Sequence, residues 1–299
     1  MCCSQRIGQW LPLLSRSTEM ANGSQLVTDT VRRADHDRYL SVLYAPQDKR
    51  DGLLALYAFN AEIAAVRDRI REALPGEVRL QWWRDVLVAP PNTGETGQPI
   101  ADALKTAIDR YGLPPSAFEN YLDARIFDLY NDPMPSRTDL EGYCGETASA
   151  LIQLASMILH PTEAPRFAEL AGRAGCAQAI VGLLLLLPLH RARGQCYIPV
   201  DILAAVGSSP EDFLAGDGGQ ATLHAIDAMI ALAHEHLAAF EKDAVALPVS
   251  LRPAYLPLAV SGAFLAKMAG SRQALMKGGL KLSLARRHWL LWRRAMRGW

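Results

Sequence analysis

The sequence predicts an all-α protein, and three observations support this fold class. Apolar residues recur at spacings of three and four, not in the strict alternation of strands. Proline, glycine and serine clusters interrupt these patterns where helices would begin and end. Half of the 299 residues are hydrophobic and 21% are charged, which is ordinary for a folded chain with a sizeable core. We expect about ten helices, no strands and one domain.

In the first half of the chain, proline and polar caps mark the predicted helices. Pro46 ends one helical pattern, and a longer one follows it. Ser116 follows two prolines and can cap a helix, and Thr138 with Glu141 three residues later forms the pattern of a capping box. The predicted helices of this half include 47–70, 99–111, 116–130 and 138–160.

The second half begins with a segment that is apolar enough to be a buried central helix. Further on, Ser209 is a predicted helix cap, with Pro210 at the first helical position. The predicted helices of this half include 163–187, 220–246, 253–277 and 280–297.

Composition and charge exclude several classes of function. Lysine plus arginine and aspartate plus glutamate both number 31, so the formal net charge is zero and no nucleic-acid partner is expected. Five cysteines without repeated spacing argue against disulfides or zinc, and Cys144, Cys176 and Cys196 are expected to be buried thiols. His234 and His236 lie two residues apart, so on a helix they cannot share one ion. No metal site is predicted.

The N-terminal residues and the length of the apolar runs indicate where in the cell the protein is located. Residues 1–19 contain arginine, few acids and only a short apolar run, so we expect a disordered or non-native extension before a domain over 20–299. The longest apolar run, 177–189, is too short to span a bilayer. These features predict a cytoplasmic protein, with peripheral attachment at the inner face of the membrane as an option.

Several motifs resemble those of the squalene/phytoene synthase family. Residues 55–68 (ALYAFNAEIAAVRD) resemble the helix that carries its first acidic motif, and residues 80–85 (LQWWRD) resemble its "LQxWRD" helix. Residues 194–199 (GQCYIP) are similar to the stretch after its second acidic motif. Tyr143 and Cys144 also fall in the expected places. The resemblance runs from about residue 35 to about residue 246.

The resemblance implies an isoprenoid-synthase fold, a helical bundle around a central cavity for long prenyl chains. In the family, acid clusters on two facing helices hold magnesium ions that bind the substrate diphosphate. The first cluster would place acids at 64, 65 and 68, where this chain has Ala64, Ala65 and Asp68. The second would lie between 177 and 197, which contains no acid, although Gln178 matches a family glutamine.

One aspartate does not make a magnesium site, because magnesium needs several carboxylates together with phosphate. No cofactor is therefore expected, and Mg²⁺ would be needed only if the chain were an active enzyme. Asp68 is also interpreted as an ion-pair or cap residue, with Arg67 or Arg71 as partner.

The resemblance also suggests which side chains line the pocket. Trp82 and Trp83 are expected to be half core and half cavity wall. Charge pairs on a helix face are the preferred interpretation of Asp123, Arg125 and Asp128, with pocket lining as the alternative. The candidate pocket residues are Tyr39, Tyr57, Asp68, Gln81, Trp82, Arg84, Asp85, Tyr143 and Gln178.

The C-terminal helix is basic and aromatic. On a helical wheel the arginines fall on one face, with the tryptophans, Leu291, Ala295 and Met296 opposite. It either lies on an anionic membrane surface or packs on the core with its charged side solvated. The membrane-surface candidates are Arg286, Arg287, Trp289, Trp292, Arg293, Arg294 and Arg297.

The loss of acids favours a family member without catalysis. The pattern looks like a bacterial-type relative of the group that includes a mitochondrial complex I assembly factor, which has also lost the acids. This implies an assembly protein, with complex I subunits or assembly factors, a prenyl lipid and a membrane surface as candidate partners. Two alternatives are open: an active head-to-head prenyl transferase, and a carrier of prenyl lipid or quinone without chemistry.

Overall fold

The structure is a computed structural model that describes residues 11–89, 96–216 and 219–299, with side chains from residue 22 onward. Within these ranges all regular structure is helical, which confirms the predicted fold class. The α-helices are α1 (Leu11–Ala34), α2 (His36–Val42), α3 (Gln47–Ala64), α4 (Val66–Arg69), α5 (Ala73–Val88), α6 (Pro99–Tyr111), α7 (Pro115–Ile126), α8 (Arg137–Cys144), α9 (Ala150–Leu159), α10 (Ala168–Leu185), α11 (Leu187–Ala192), α12 (Val200–Ala205), α13 (Pro210–Ala215), α14 (Gln220–Asp243), α15 (Arg252–Tyr255), α16 (Pro257–Met268), α17 (Arg272–Met276) and α18 (Leu284–Arg297).

The predicted extension at 1–19 lies only partly in these ranges. Residues 1–10 are outside the described part of the chain, and α1 begins at Leu11.

Several predicted helix ends are confirmed. Helix α6 has the predicted bounds and stops at Gly112, whose φ of 61° is the left-handed conformation that glycine adopts without strain. Ser209 caps α13 by accepting a hydrogen bond from the backbone N–H of Asp212, with Pro210 at the first position.

Other predicted ends are wrong. Ser136, not Thr138, caps α8, because its hydroxyl accepts from the backbone N–H of Asp139. Ser116 lies inside α7 and does not cap it. The expected helix over 253–277 is three helices, broken first before Pro257, which has no N–H to continue the ladder.

Helix α10 is the centre of the bundle. It packs against α14 on one side and against α9, α16 and a π-helical turn, Gly145–Ser149, on the others. The crossing with the π-turn is so close that Gly175 lies directly against Ser149. Buried apolar side chains from Val27 to Leu291 form one connected core around it.

Length and composition alone would let one stretch, Ala164–Leu185, cross a bilayer. A second would join Val249–Tyr255 and Pro257–Met268, which are bent by 50°. Half of the first stretch is buried by its neighbours, as expected for the core helix of a folded bundle. The run 177–189 overlaps the C-terminal part of this stretch, which begins further towards the N-terminus, at Ala164.

We predict that Gly175→Ala lowers the free energy of unfolding by about 3 kcal/mol, because a methyl group there would overlap the backbone and hydroxyl of Ser149. Gly182→Ala is the matched control on the same helix, since nothing lies within 4 Å of its added carbon. It should be neutral or stabilising by about 0.5 kcal/mol. Urea denaturation measures both, and equal effects would contradict the close crossing.

Candidate functional site

The positions that correspond to the family's first acid cluster lie where α3 ends and α4 begins. Ala64 is the last residue of α3, and Asp68 lies on α4. The Asp68 carboxylate is 2.6 Å from the Arg193 guanidinium and its side chain is 53% exposed. The ion-pair interpretation is therefore correct but its predicted partner is not, because Arg67 instead donates to the Asn131 amide oxygen at 3.2 Å.

The positions that correspond to the family's second acid cluster lie where α10 ends and α11 begins. These positions hold leucines, of which Leu186 and Leu189 are exposed. Among the described residues no three His, Cys, Asp or Glu side chains are grouped to hold an ion. Because magnesium prefers clustered carboxylate oxygens, the residues present do not fit a magnesium-diphosphate site.

A buried polar cluster lies deeper in the bundle, with the Asp128 carboxylate at its centre. One carboxylate oxygen accepts hydrogen bonds from the hydroxyls of Tyr143 and Tyr197, at 2.8 and 2.7 Å. The other accepts from Arg125 at 2.9 Å. Arg125 also donates to the Tyr121 hydroxyl, which in turn donates to Asn60 on α3. We call these six residues the Asp128 cluster.

Four segments of the chain contribute to the Asp128 cluster, the first of which is α3 with Asn60. Arg125 and Asp128 lie three residues apart across the end of α7, where the helix tightens into the 3₁₀ turn Phe127–Leu129. Tyr143 comes from α8. Tyr197 comes from the loop before α12, which Met134 holds through backbone hydrogen bonds to Cys196 and Val200. The cluster therefore ties together segments that are distant in sequence.

Electrostatics and burial keep the arginine and the tyrosines of the cluster protonated. Burial alone would lower the pKa of Arg125, but Tyr121, Tyr143 and Asp128 outweigh it and raise that pKa well above its ordinary value. Burial raises the pKa values of Tyr143 and Tyr197, so both hydroxyls stay protonated and can donate to Asp128. The cluster satisfies its own charge and needs no ligand to do so.

A second buried group joins α2, α3 and α10. Arg38 forms an ion pair with Asp35, donates to the Gln178 amide oxygen at 3.4 Å and lies 5.7 Å from the Tyr57 ring centroid. Burial opposes the charge on Arg38, yet Asp35 and Tyr57 together raise its pKa. Burial also raises the pKa of Tyr57 to about 12. The structure therefore brings together two predicted residues, Tyr57 and Gln178, around an arginine that was not predicted.

The other predicted pocket residues lie elsewhere. Gln81, Arg84 and Asp85 bond to one another on the outer side of α5, where Arg84 pairs with Asp123. They line an open groove of about 510 Å³ between α5 and α7. Tyr39 stacks on His36, with ring centroids 6.3 Å apart.

The neighbouring residues Trp82 and Trp83 lie in different environments. Trp83 is fully buried, with its ring edge-on to Phe59 at 5.1 Å, so it belongs to the core. Trp82 is partly buried under Arg79, 4.6 Å from the ring centroid. Trp83 therefore lies in the core, and Trp82 lies at its partly exposed edge.

The C-terminal helix differs from the wheel prediction. Arg287 and Arg294 face the bundle and pair with Asp37 and Glu241, at 2.8 and 3.4 Å, so neither is a surface candidate. Of the predicted apolar face only Leu291 is fully buried. The remaining candidates are exposed: Arg286, Trp289, Trp292, Arg293 and Arg297.

Sequence reasoning named several residues around Arg38 and Arg125 but did not predict that these two arginines bring them together. Arg125 and Asp128 were expected to pair on a helix face, and they do pair at the i, i+3 spacing. Nothing local showed that Tyr197, in a distant loop, would complete the pair. The only available signal was that three tyrosines, an arginine and an aspartate lie near the resemblance motifs.

We predict that Asp128→Ala lowers the free energy of unfolding by about 3 kcal/mol, because it leaves the buried Arg125 charge without a partner. Asp123→Ala removes the same side chain from the ion pair with Arg84, where the carboxylate is 66% exposed, and should cost under about 1 kcal/mol. Thermal or urea unfolding of the two variants distinguishes them. Equal losses would mean that the Asp128 cluster does not hold the bundle together.

His190 should make the protein less stable in acid. Burial lowers its pKa from 6.5 to about 4, and its ring lies 4.6 Å from that of Tyr197. The unfolded chain then binds a proton more readily, so this contribution is present above pH 6.5 and is lost as the pH falls towards 4. Between pH 7.5 and 5 we expect His190 to account for about 2 kcal/mol of the loss. His190→Gln should flatten the decline measured by urea unfolding, and an unchanged pH dependence would contradict it.

Comparisons with known proteins agree with this architecture. The family model for squalene/phytoene synthase matches residues 31–293. The human protein "NADH dehydrogenase (ubiquinone) complex I, assembly factor 6" is 30% identical over 245 residues, which is 80% of this chain and 72% of the human protein.

Solved structures show the same fold at lower identity. A dehydrosqualene synthase in complex with a ligand superposes with a TM-score of 0.80 at 16% identity, covering 92% of this chain and 96% of that one. Squalene synthase HpnC from Alicyclobacillus acidocaldarius gives a TM-score of 0.70 at 19% identity, covering 86% of this chain and 95% of that one. The predicted resemblance is confirmed: the chain belongs to the squalene/phytoene synthase family.

Proposed function

We propose that this protein is a non-catalytic member of its family that supports the assembly of respiratory complex I. The observation that carries the proposal is the replacement of both metal clusters. Alanine and leucine occupy their positions, and the one remaining acid, Asp68, is neutralised by Arg193. The 30% identity to a complex I assembly factor supplies the process.

The interior supports this proposal. In a diphosphate-binding site, buried arginines need an incoming anion to balance their charge. Here Arg38 and Arg125 already have aspartate partners within the chain, Asp35 and Asp128. Leu151 and Ile152 on α9 are also buried and take up space in the interior. The fold therefore acts as a rigid scaffold in this proposal.

The proposed partners are complex I subunits or other assembly factors, and the proposed location is the cytoplasm and the inner face of the membrane. The printed name of the human relative supports the link to complex I. A retained prenyl lipid is not required by this function.

The first experiment asks about catalysis. Purified protein incubated with farnesyl or geranylgeranyl diphosphate, Mg²⁺ and NADPH should release no diphosphate above background and form no hydrocarbon, because the donor set does not fit magnesium. The dehydrosqualene synthase of known structure is the positive control. Turnover would overturn the proposal in favour of a prenyl transferase, and saturable binding of the prenyl compound without turnover would favour a carrier.

The second experiment asks about assembly. Expressed with a mitochondrial leader in human cells that lack assembly factor 6, the chain should restore complex I on native gels together with NADH oxidation. Asp68→Ala should restore complex I as well as the unaltered chain does, because Asp68 has no metal to hold. An active enzyme would lose function with that change. Failure of the unaltered, stably expressed chain to restore complex I would count against the assembly proposal.

A further inference from the structure

Helix α18 presents an apolar stripe to solvent. Trp289, Trp292 and Met296 are 52%, 50% and 66% exposed, and exposed Ala285 continues the stripe towards the N-terminus. These residues are spaced by four, three and four, so they lie along one face of the helix. Exposed tryptophan pairs on a helix are uncommon on a solvated surface, because each ring leaves a large apolar area in water.

A basic edge runs beside this stripe. Arg286, Arg293 and Arg297 are exposed, and α18 contains no acid to neutralise them. The Arg293 guanidinium lies 5.5 Å from the Trp289 ring centroid, so charge and aromatic ring form one continuous surface.

The opposite side of α18 is fixed to the bundle. Arg287 pairs with Asp37 on α2 and lies 5.2 Å from the Phe264 ring centroid. Arg294 pairs with Glu241 and lies over Trp299, which in turn packs edge-on against Phe240. Because the two ion pairs and buried Leu291 hold the inner side, the stripe faces solvent in the structure as it stands.

The chemistry of this surface indicates which partner it binds, a lipid bilayer or a second copy of the chain. Tryptophan prefers the boundary between hydrocarbon and headgroups, and arginines beside it attract anionic headgroups. A second copy of the helix packed antiparallel on this stripe would place arginine opposite arginine, which disfavours self-association in that arrangement. We propose that α18 binds the surface of an anionic lipid bilayer, with Trp289, Trp292 and Met296 inserted among the headgroups and the three arginines on their phosphates. This inference does not rest on the proposed function.

The test is co-flotation of the full chain with vesicles of phosphatidylcholine alone or with added phosphatidylglycerol. Binding should require phosphatidylglycerol and fall as salt rises. Loss of three charges, in Arg286→Gln/Arg293→Gln/Arg297→Gln, should weaken binding about 100-fold or more. Trp289→Ala/Trp292→Ala should weaken it at least about tenfold.

Control variants remove exposed apolar side chains and exposed arginines elsewhere on the protein. Leu74→Ala/Val78→Ala takes away two exposed apolar side chains on α5, and Arg33→Gln/Arg69→Gln/Arg166→Gln takes away three exposed arginines. Both should bind as the unaltered chain does, and circular dichroism confirms that all variants are folded. Binding that all variants share equally would overturn the proposal. So would a dimer seen by light scattering, abolished by Trp289→Ala/Trp292→Ala, without any binding to vesicles.

Discussion

The buried ion pair between Arg125 and Asp128 is the interaction on which the interior depends. An arginine inside a helical bundle is costly unless its charge is balanced, and the balance here comes from a carboxylate three residues away. The carboxylate then accepts from Tyr143 and Tyr197, which come from α8 and from the loop before α12. The pair therefore fixes the position of segments that apolar packing alone would leave free to slide. It joins the two halves of the chain in one geometry.

The ion pair between Arg125 and Asp128 is also relevant to the function of the protein. A synthase of this architecture must keep an interior that opens to substrate and charges that wait for metal and diphosphate. In this chain the interior charges are already satisfied by one another, and Asp68 at the rim is paired with Arg193. In the proposed non-catalytic role, a network that is complete without ligand adds rigidity to the scaffold. Under the proposed function, the chain keeps the architecture of the family without its chemistry.

Sequence patterns predicted the fold class because helical periodicity and proline positions are local, and α6 has the predicted bounds for that reason. The break before Pro257 was missed because an apolar pattern continues through it. The absence of acids at 64, 65 and 177–190 could be read directly. The Asp128 cluster could not, because Tyr197 reaches Asp128 across 69 residues of chain through a loop whose path no local pattern specifies. The inward positions of Arg287 and Arg294 could not be predicted either, because a helical wheel contains no information about acids on neighbouring helices, such as Asp37.

The arginines on α18 divide into those that fix the helix to the bundle and those that form part of its exposed surface. Those that find acids on α2 and α14 turn inwards and hold the helix, while those without such partners stay in solvent beside the tryptophans. A helix held only by apolar packing would bury its tryptophans first, because they carry the largest apolar area. Here the ion pairs and Leu291 occupy the inner side, so the tryptophans remain outside. The exposed aromatic surface is therefore a consequence of how the charges are distributed, and removing the inner ion pairs would free the helix to bury it.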